Sequence, residues 1–308
     1  MARLLVAAAV VASLAWGCGR SGGPPAPESG ASRQPGARFF VVAAENFWGS
    51  LAAQLAGTRA DVASIIVNPN TDPHSYEPNA QDARTIAGAQ VVIVNGIGYD
   101  EWAGRLLSAS HLSGRIVLNV GKLLSLPAGA NPHQWYSPAH VAAVIDGITA
   151  AYQRLDPADA GYFSELRSRV LGAGLARYDE LRSEIRSQFA GVPVGYSESI
   201  FQPLGEDLRL RLLTPSSFAK AIAEGSDVTA ASKQTVDEQA SRRLIKVWVF
   251  NSQNVTPDVQ RVNALVKQQH IPLATVTETL TPPSDSFEQW QVAQLEGLLA
   301  ALRASGAR

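Results

Sequence analysis

The stretch ADAGYFSELRSRVLGAGLARYDELRSEIRSQF, residues 158–189, decides how this chain is organised. Its apolar residues Phe163, Leu166, Val170, Leu171, Leu175, Tyr178, Leu181, Ile185 and Phe189 step mostly by threes and fours, with Glu and Arg between them. That spacing puts them on one face of an amphipathic α-helix. At about 1.5 Å per residue such a helix runs roughly 48 Å. Gly172 and Gly174 sit in its middle and cost about 1 kcal/mol each relative to Ala. A helix is stiffer than a loop, so it limits hinge motion between the parts it joins.

On both sides, short apolar runs alternate with helical patterns, which is the order of a parallel α/β layer. Before the helix, strands are expected at 39–43, 64–67, 91–94 and 116–119. Helices are expected through Phe47, Leu51 and Leu55, from an Asn79 cap with acidic Asp82 three residues on, and over 99–107. After it, 193–196, 210–213, 247–250 and 273–276 read as strands, with helices near 217–224, 233–242 and 257–269 and a closing helix at 287–302. The expected organisation is two α/β lobes, 38–157 and 190–308, joined by one long rigid helix at 158–189. No internal repeat stands out.

With 308 residues, 46% of them apolar, the chain can bury a sizeable core. Lys plus Arg total 26 against 27 Asp plus Glu, a formal charge of -1, which supplies no basic field for nucleic acid. Residues 1–17 read as a secretory signal peptide, with Arg3 ahead of an apolar run and small residues leading to Cys18. The run is too short to span a membrane as a stable helix. Cys18 is the single cysteine, so no intramolecular disulfide forms, and its position right after a leader points to lipidation. The Gly-, Pro- and Ser-rich segment 18–37 is then a tether without enough apolar content to order itself. An extracytoplasmic protein anchored to the membrane through Cys18 is expected, on the periplasmic or cell-surface side.

Two short clusters carry the chemistry. DPHSYEP, 72–78, holds His74 on a turn stiffened by prolines at a strand's carboxyl end, where open α/β sheets bind ligands. NPHQWYSP, 131–138, repeats the arrangement with His133 directly after Pro132, and Ser137-Pro138 opens a helix. Imidazole on a rigid turn is a low-entropy-cost ligand for a transition metal.

These residues, Asp72-Pro73-His74 with Tyr76-Glu77-Pro78, and Asn131-Pro132-His133 with Trp135, resemble the first two ligand motifs of the metal-binding lipoproteins that serve bacterial manganese and zinc uptake ABC transporters. The resemblance extends over roughly 39–302. It implies two α/β lobes, a long connecting helix and one metal ion in the inter-lobe cleft. It further implies a third ligand in the segment 195–201, where Glu198 stands, and a fourth acid after the last strand of the second lobe. There Thr277-Glu278-Thr279 makes Glu278 the expected ligand and Asp285 the fallback.

His140, in the first turn of the helix that Pro138 opens, and Asp285 are candidates for the ring of residues around the ligands. Trp48, Tyr76 and Trp135 are candidates for the cleft wall, and His111 and His270 for structural roles. Two imidazoles and two carboxylates make an oxygen-rich donor set that suits Mn2+ first, with Zn2+ next and Fe2+ third. The function implied is capture of one divalent ion as cargo and delivery to a membrane permease by a monomeric, non-catalytic protein. A secreted metallohydrolase is the rival reading from another class, although HExxH does not occur. An adhesin using the same fold is a third.

Overall fold

The computed structural model describes residues 38–307. The expected signal peptide at 1–17 and Cys18 with its tether lie outside the described residues. Among those described, no helix is long and apolar enough to cross a membrane.

The first lobe runs β1 (Phe39–Glu45), α1 (Asn46–Ala56), β2 (Ala60–Ile66), α2 (Ala80–Gly88), β3 (Val91–Val94), α3 (Glu101–Ala109), β4 (Ile116–Asn119), α4 (Val120–Leu123) and α5 (Pro138–Leu155). Its sheet is parallel, in the order β2-β1-β3-β4. β2 starts four residues earlier than its apolar run suggests, because Phe39 to Glu45 of β1 pair in register with Ala60 to Ile66. It is an edge strand, half-exposed over much of its length, so its pattern is blurred by Asp61 and Ser64. α3 begins at Glu101 rather than at Tyr99, since the Asp100 carboxylate turns back to accept from the Asn95 and Gly96 N–H groups at 2.6 and 2.7 Å. The Asn79 cap forms as a full capping box with Asp82.

The connecting segment departs from a single uninterrupted helix. α6 (Ala160–Arg169) is followed by a π-type turn at Val170–Gly174, then by Leu175 at φ -89°, ψ 2°, and α7 (Ala176–Phe189). Leu175 N–H donates to the Val170 carbonyl at 3.0 Å, five residues back instead of four. Gly172 and Gly174 leave the turn free to widen. The extra residue re-phases the apolar face: Phe163 and Val170 before it and Leu175, Tyr178 and Leu181 after it are all buried.

The second lobe runs β5 (Pro193–Tyr196), α8 (Gln202–Asp207), β6 (Arg211–Leu212), α9 (Ser216–Ala223), α10 (Ala230–Ser241), β7 (Val247–Asn251), α11 (Pro257–Gln268), β8 (Leu273–Val276) and α12 (Phe287–Ala304). Its parallel sheet, β6-β5-β7-β8, repeats the strand order of the first lobe. The repeat is one of topology and leaves no trace in residue identity strong enough to read.

One apolar core runs through both lobes and the connecting helices, from Phe39 and Trp48 through Phe163 and Tyr178 to Trp290 and Leu302. Separate clusters cover the outer faces, around Trp102 in the first lobe and Trp248 in the second. α12 adds a second link between lobes: Ser50 Oγ accepts from the Phe287 N–H and Gln54 Nε2 donates to Glu288, both at 2.9 Å. The carboxyl ends of both sheets supply the loops that carry the histidines and acids discussed next.

Candidate metal centre

His133 lies in the loop that follows α4 and is wholly buried. Asn131 Oδ1 accepts from its backbone N–H at 3.0 Å and lies 2.7 Å from its Nδ1. With Nδ1 donating, Nε2 carries the lone pair, the tautomer a metal ligand needs. Asn131 Nδ2 in turn donates to the Ser199 carbonyl of the second lobe at 2.7 Å, so one amide sets the ring and bridges the lobes. Trp135 packs edge-on against the imidazole at 5.2 Å and stacks on Phe47 at 4.0 Å.

Glu198 follows β5 and Glu278 follows β8, and both are buried. Their Oε1 atoms stand 3.7 and 3.6 Å from His133 Nε2. These three residues offer donor atoms that all lie within 4.8 Å of one another. His133 Nε2 and Glu198 Oε1 have no hydrogen-bond partner. The remaining oxygens are held: Asn251 Nδ2 donates to Glu198 Oε2 at 3.0 Å and to Glu278 Oε1 at 3.1 Å, Asn254 Nδ2 donates to Glu198 Oε2 at 3.1 Å, and the Tyr99 hydroxyl donates to Glu278 Oε2 at 2.7 Å. A nitrogen and two carboxylates thus converge on one point, oriented from behind by neutral amides and a phenol.

Burial shapes the charge states. It holds the His133 pKa down to about 4, with Glu198 opposing. It pushes Glu278 up to about 7, and Glu198 well up, there with the charge of Glu278 adding to it. Without a cation, the site therefore favours neutral imidazole and protonated carboxyl.

His74 sits outside this trio. Its loop is pinned by Asp72, which accepts from the His74 N–H and the Ser75 hydroxyl, each at 2.9 Å. Although His74 is exposed as a residue, its ring lies edge-on to Tyr99 at 4.6 Å and 6.1 Å from the His133 ring. Those surroundings lower its pKa to about 4, burial first and His133 next. It lines a cleft of about 880 Å³ shared by both lobes, with Asn131, Ser199, Lys122 and Lys220 among the other walls.

The remaining candidates divide. His140 Nδ1 meets Gln134 Oε1, and Gln134 Nε2 donates to the Asn131 carbonyl, so His140 reaches His133 only through two residues. Asp285 lies in the turn before α12, outside the trio. Trp48 is core, its indole N–H on Asn95, and Tyr76 bonds Asp82 and packs on Trp102. His270 holds a positive φ of 54° at the end of α11, away from the site.

Reading the sequence missed Asn251, Asn254, Tyr99 and Asn131 as the residues that aim the donors. A findable signal existed for one of them: Asn251 closes the apolar run Val247 to Phe250, and a polar residue at the carboxyl end of a buried parallel strand faces the ligand side.

Residues 41–301 match the family model described as "Zinc-uptake complex component A periplasmic". Among curated proteins, the manganese-binding lipoprotein MntA of Halalkalibacterium halodurans is 29% identical over 207 residues, covering 64% of this chain and 64% of that protein. The iron-binding protein YfeA of Yersinia pestis is 26% identical over 182 residues, 55% of this chain and 57% of that protein. The matched stretches therefore span somewhat over half of these relatives. Among solved structures, a Mn-bound periplasmic metal binding protein from Candidatus Liberibacter asiaticus superposes with a TM-score of 0.70 at 17% identity, covering 86% of this chain and 100% of that one. The periplasmic zinc binding protein TroA from Treponema pallidum gives 0.69 at 16% identity, over 88% and 100%. At these identities the structural likeness is one of fold.

Proposed function

We propose, on the premise that this chain belongs to the zinc-uptake complex component A periplasmic family, that it captures one divalent transition metal outside the cytoplasm and hands it to an ABC transporter permease. The observation that carries this reading is the buried trio of His133, Glu198 and Glu278, whose free Nε2 and Oε1 atoms face each other at 3.7 Å. An unpaired imidazole nitrogen beside two buried carboxyls is costly without a cation and favourable with one. His74 completes the ligand set, and its outward position suits a ligand that closes last.

The lobes 38–157 and 190–308 are the moving parts, about the helical run 158–189, and Cys18 carries the lipid anchor of a monomeric protein. The work is binding and release, without catalysis. Manganese is the preferred cargo, ahead of zinc and then iron, because a site with two carboxylates and two imidazoles is harder than an all-imidazole one. The names of the relatives span manganese, iron and zinc, so the preference is argued from this chain's own donors.

The test is direct titration of purified, metal-stripped protein with Mn2+, Zn2+ and Fe2+, with elemental analysis of protein isolated from cells grown on mixed metals. Binding of one ion, lost in His133→Ala and Glu278→Ala and weakened in His74→Ala, is expected, with manganese dominating the isolated protein. No binding, or binding that survives both of the first two substitutions, overturns the reading; zinc in the isolated protein overturns the preference alone.

A further inference from the structure

Glu45 closes β1 and stands at the N-cap of α1. It is fully buried, and neither carboxylate oxygen has a hydrogen-bond partner outside its own residue. The charges that bear on it are two acids, Asp100 and Glu278, and it bears in turn on the Tyr99 phenol that bonds Glu278. The next two residues are built into the site's walls. Asn46 Oδ1 accepts from the Leu280 N–H at 3.2 Å, two residues beyond Glu278, and Phe47 stacks on the Trp135 that flanks His133.

Nothing about folding selects such a group. A buried carboxyl whose only donor is its own backbone N–H, under the influence of two further acids, costs stability whether it is neutral or charged, and replacing buried charges by apolar side chains of similar volume is often neutral or stabilising. A divalent cation held by Glu278 and its neighbours reverses that sign.

We infer that Glu45 is a further determinant of the cation site, a third carboxylate that acts on the bound ion through space and not as a ligand. This rests on the metal-binding reading of His133, Glu198 and Glu278. Glu45 is not part of the group of donor atoms lying within 4.8 Å of one another. Burial and the neighbouring acids raise its pKa well above the usual carboxylate range. A cation nearby draws that proton off, so its charge is present when the ion is. In a low-dielectric interior such a charge favours a divalent ion over a monovalent one, since the attraction scales with the ion's charge.

The experiment compares Glu45→Gln and Glu45→Met with the unsubstituted protein, each stripped of metal and titrated with Mn2+ and Zn2+, with thermal unfolding of the metal-free forms alongside. The expected result is binding weakened by on the order of tenfold or more, while the metal-free variants unfold at the same temperature or higher. A packing role would lower both affinity and unfolding temperature together. Unchanged affinity in both variants overturns the inference. So does a drop in metal-free stability, or a failure of both variants to fold, which would make Glu45 a requirement of the fold. Absence of metal binding by the unsubstituted protein would instead sink the metal-binding reading itself.

Discussion

At the residue scale, the candidate centre is a matter of which groups hold protons. His74 and His133 are lowered to about 4 by burial, so both are neutral well below pH 7. Glu278 is raised to about 7 and Glu198 well above its usual range. Protons released on metal binding should therefore come from the carboxyls and not from the imidazoles. The linkage has a definite sign. Histidines depressed in the fold cost stability as pH falls from about 6.5 towards 4, because the unfolded chain then binds protons the fold refuses. Raised carboxyls do the opposite, and their contribution is lost as pH rises through about 7. Below about 6.5 the two oppose; above it only the carboxyls act. Metal-free protein should thus unfold at falling temperatures from about pH 6.5 to 8, and saturating Mn2+ should abolish that fall. Thermal scans with chelator and with metal measure both, and a metal-free unfolding temperature that climbs across this window would refute the assignment.

At the element scale, β5 shows how packing positions chemistry. A Cβ on Gly195 would meet Ile245 Cδ1 and Trp248 Cε3, each at 2.8 Å, and the Trp248 indole is fixed by its 2.8 Å bond to Asn263. Gly195 lies three residues before Glu198, on the strand that aims it. Gly195→Ala should cost about 1–3 kcal/mol by overpacking and should also weaken metal binding, read by urea unfolding and titration. Gly172, in the π-type turn, is the contrast: a Cβ there meets nothing within 4 Å. Gly172→Ala should leave binding alone and stabilise by up to about 1 kcal/mol through helix propensity. If both glycines behave alike, the close contact at Gly195 is not what sets the outcome. The sequence pattern of this connecting segment was legible as helix throughout. The widened turn was not, because its cause is the joint burial of Val170 and Leu175, five residues apart, against a core that the pattern alone does not display.

At the scale of the whole molecule, an ion held by residues of both lobes stabilises the folded chain and nothing in the unfolded one. Metal at about a hundredfold excess over its dissociation constant should add about 2.7 kcal/mol, seen as an unfolding temperature that climbs with the logarithm of metal concentration. Chelator should reverse it. The links from Asn131 to Ser199 and from α12 to α1 already join the lobes, so a metal-driven closure should be small in solution scattering. Strand and helix alternation was set by local periodicity, which is why two α/β lobes and both Pro-His turns could be read from the chain before any contact was known. Glu198 and Glu278 were reached only through resemblance, since an acid after a short strand looks like surface charge until its surroundings close over it. What aims the donors was decided by tertiary structure alone: Tyr99 reaches Glu278 across 179 residues and Asn251 reaches Glu198 across 53. So was the burial of Glu45, whose cost appears only when Asp100 and Glu278 are brought to it. Periodicity is a property of neighbours along the chain, whereas a coordination sphere and its electrostatics depend on which distant segments the core draws together.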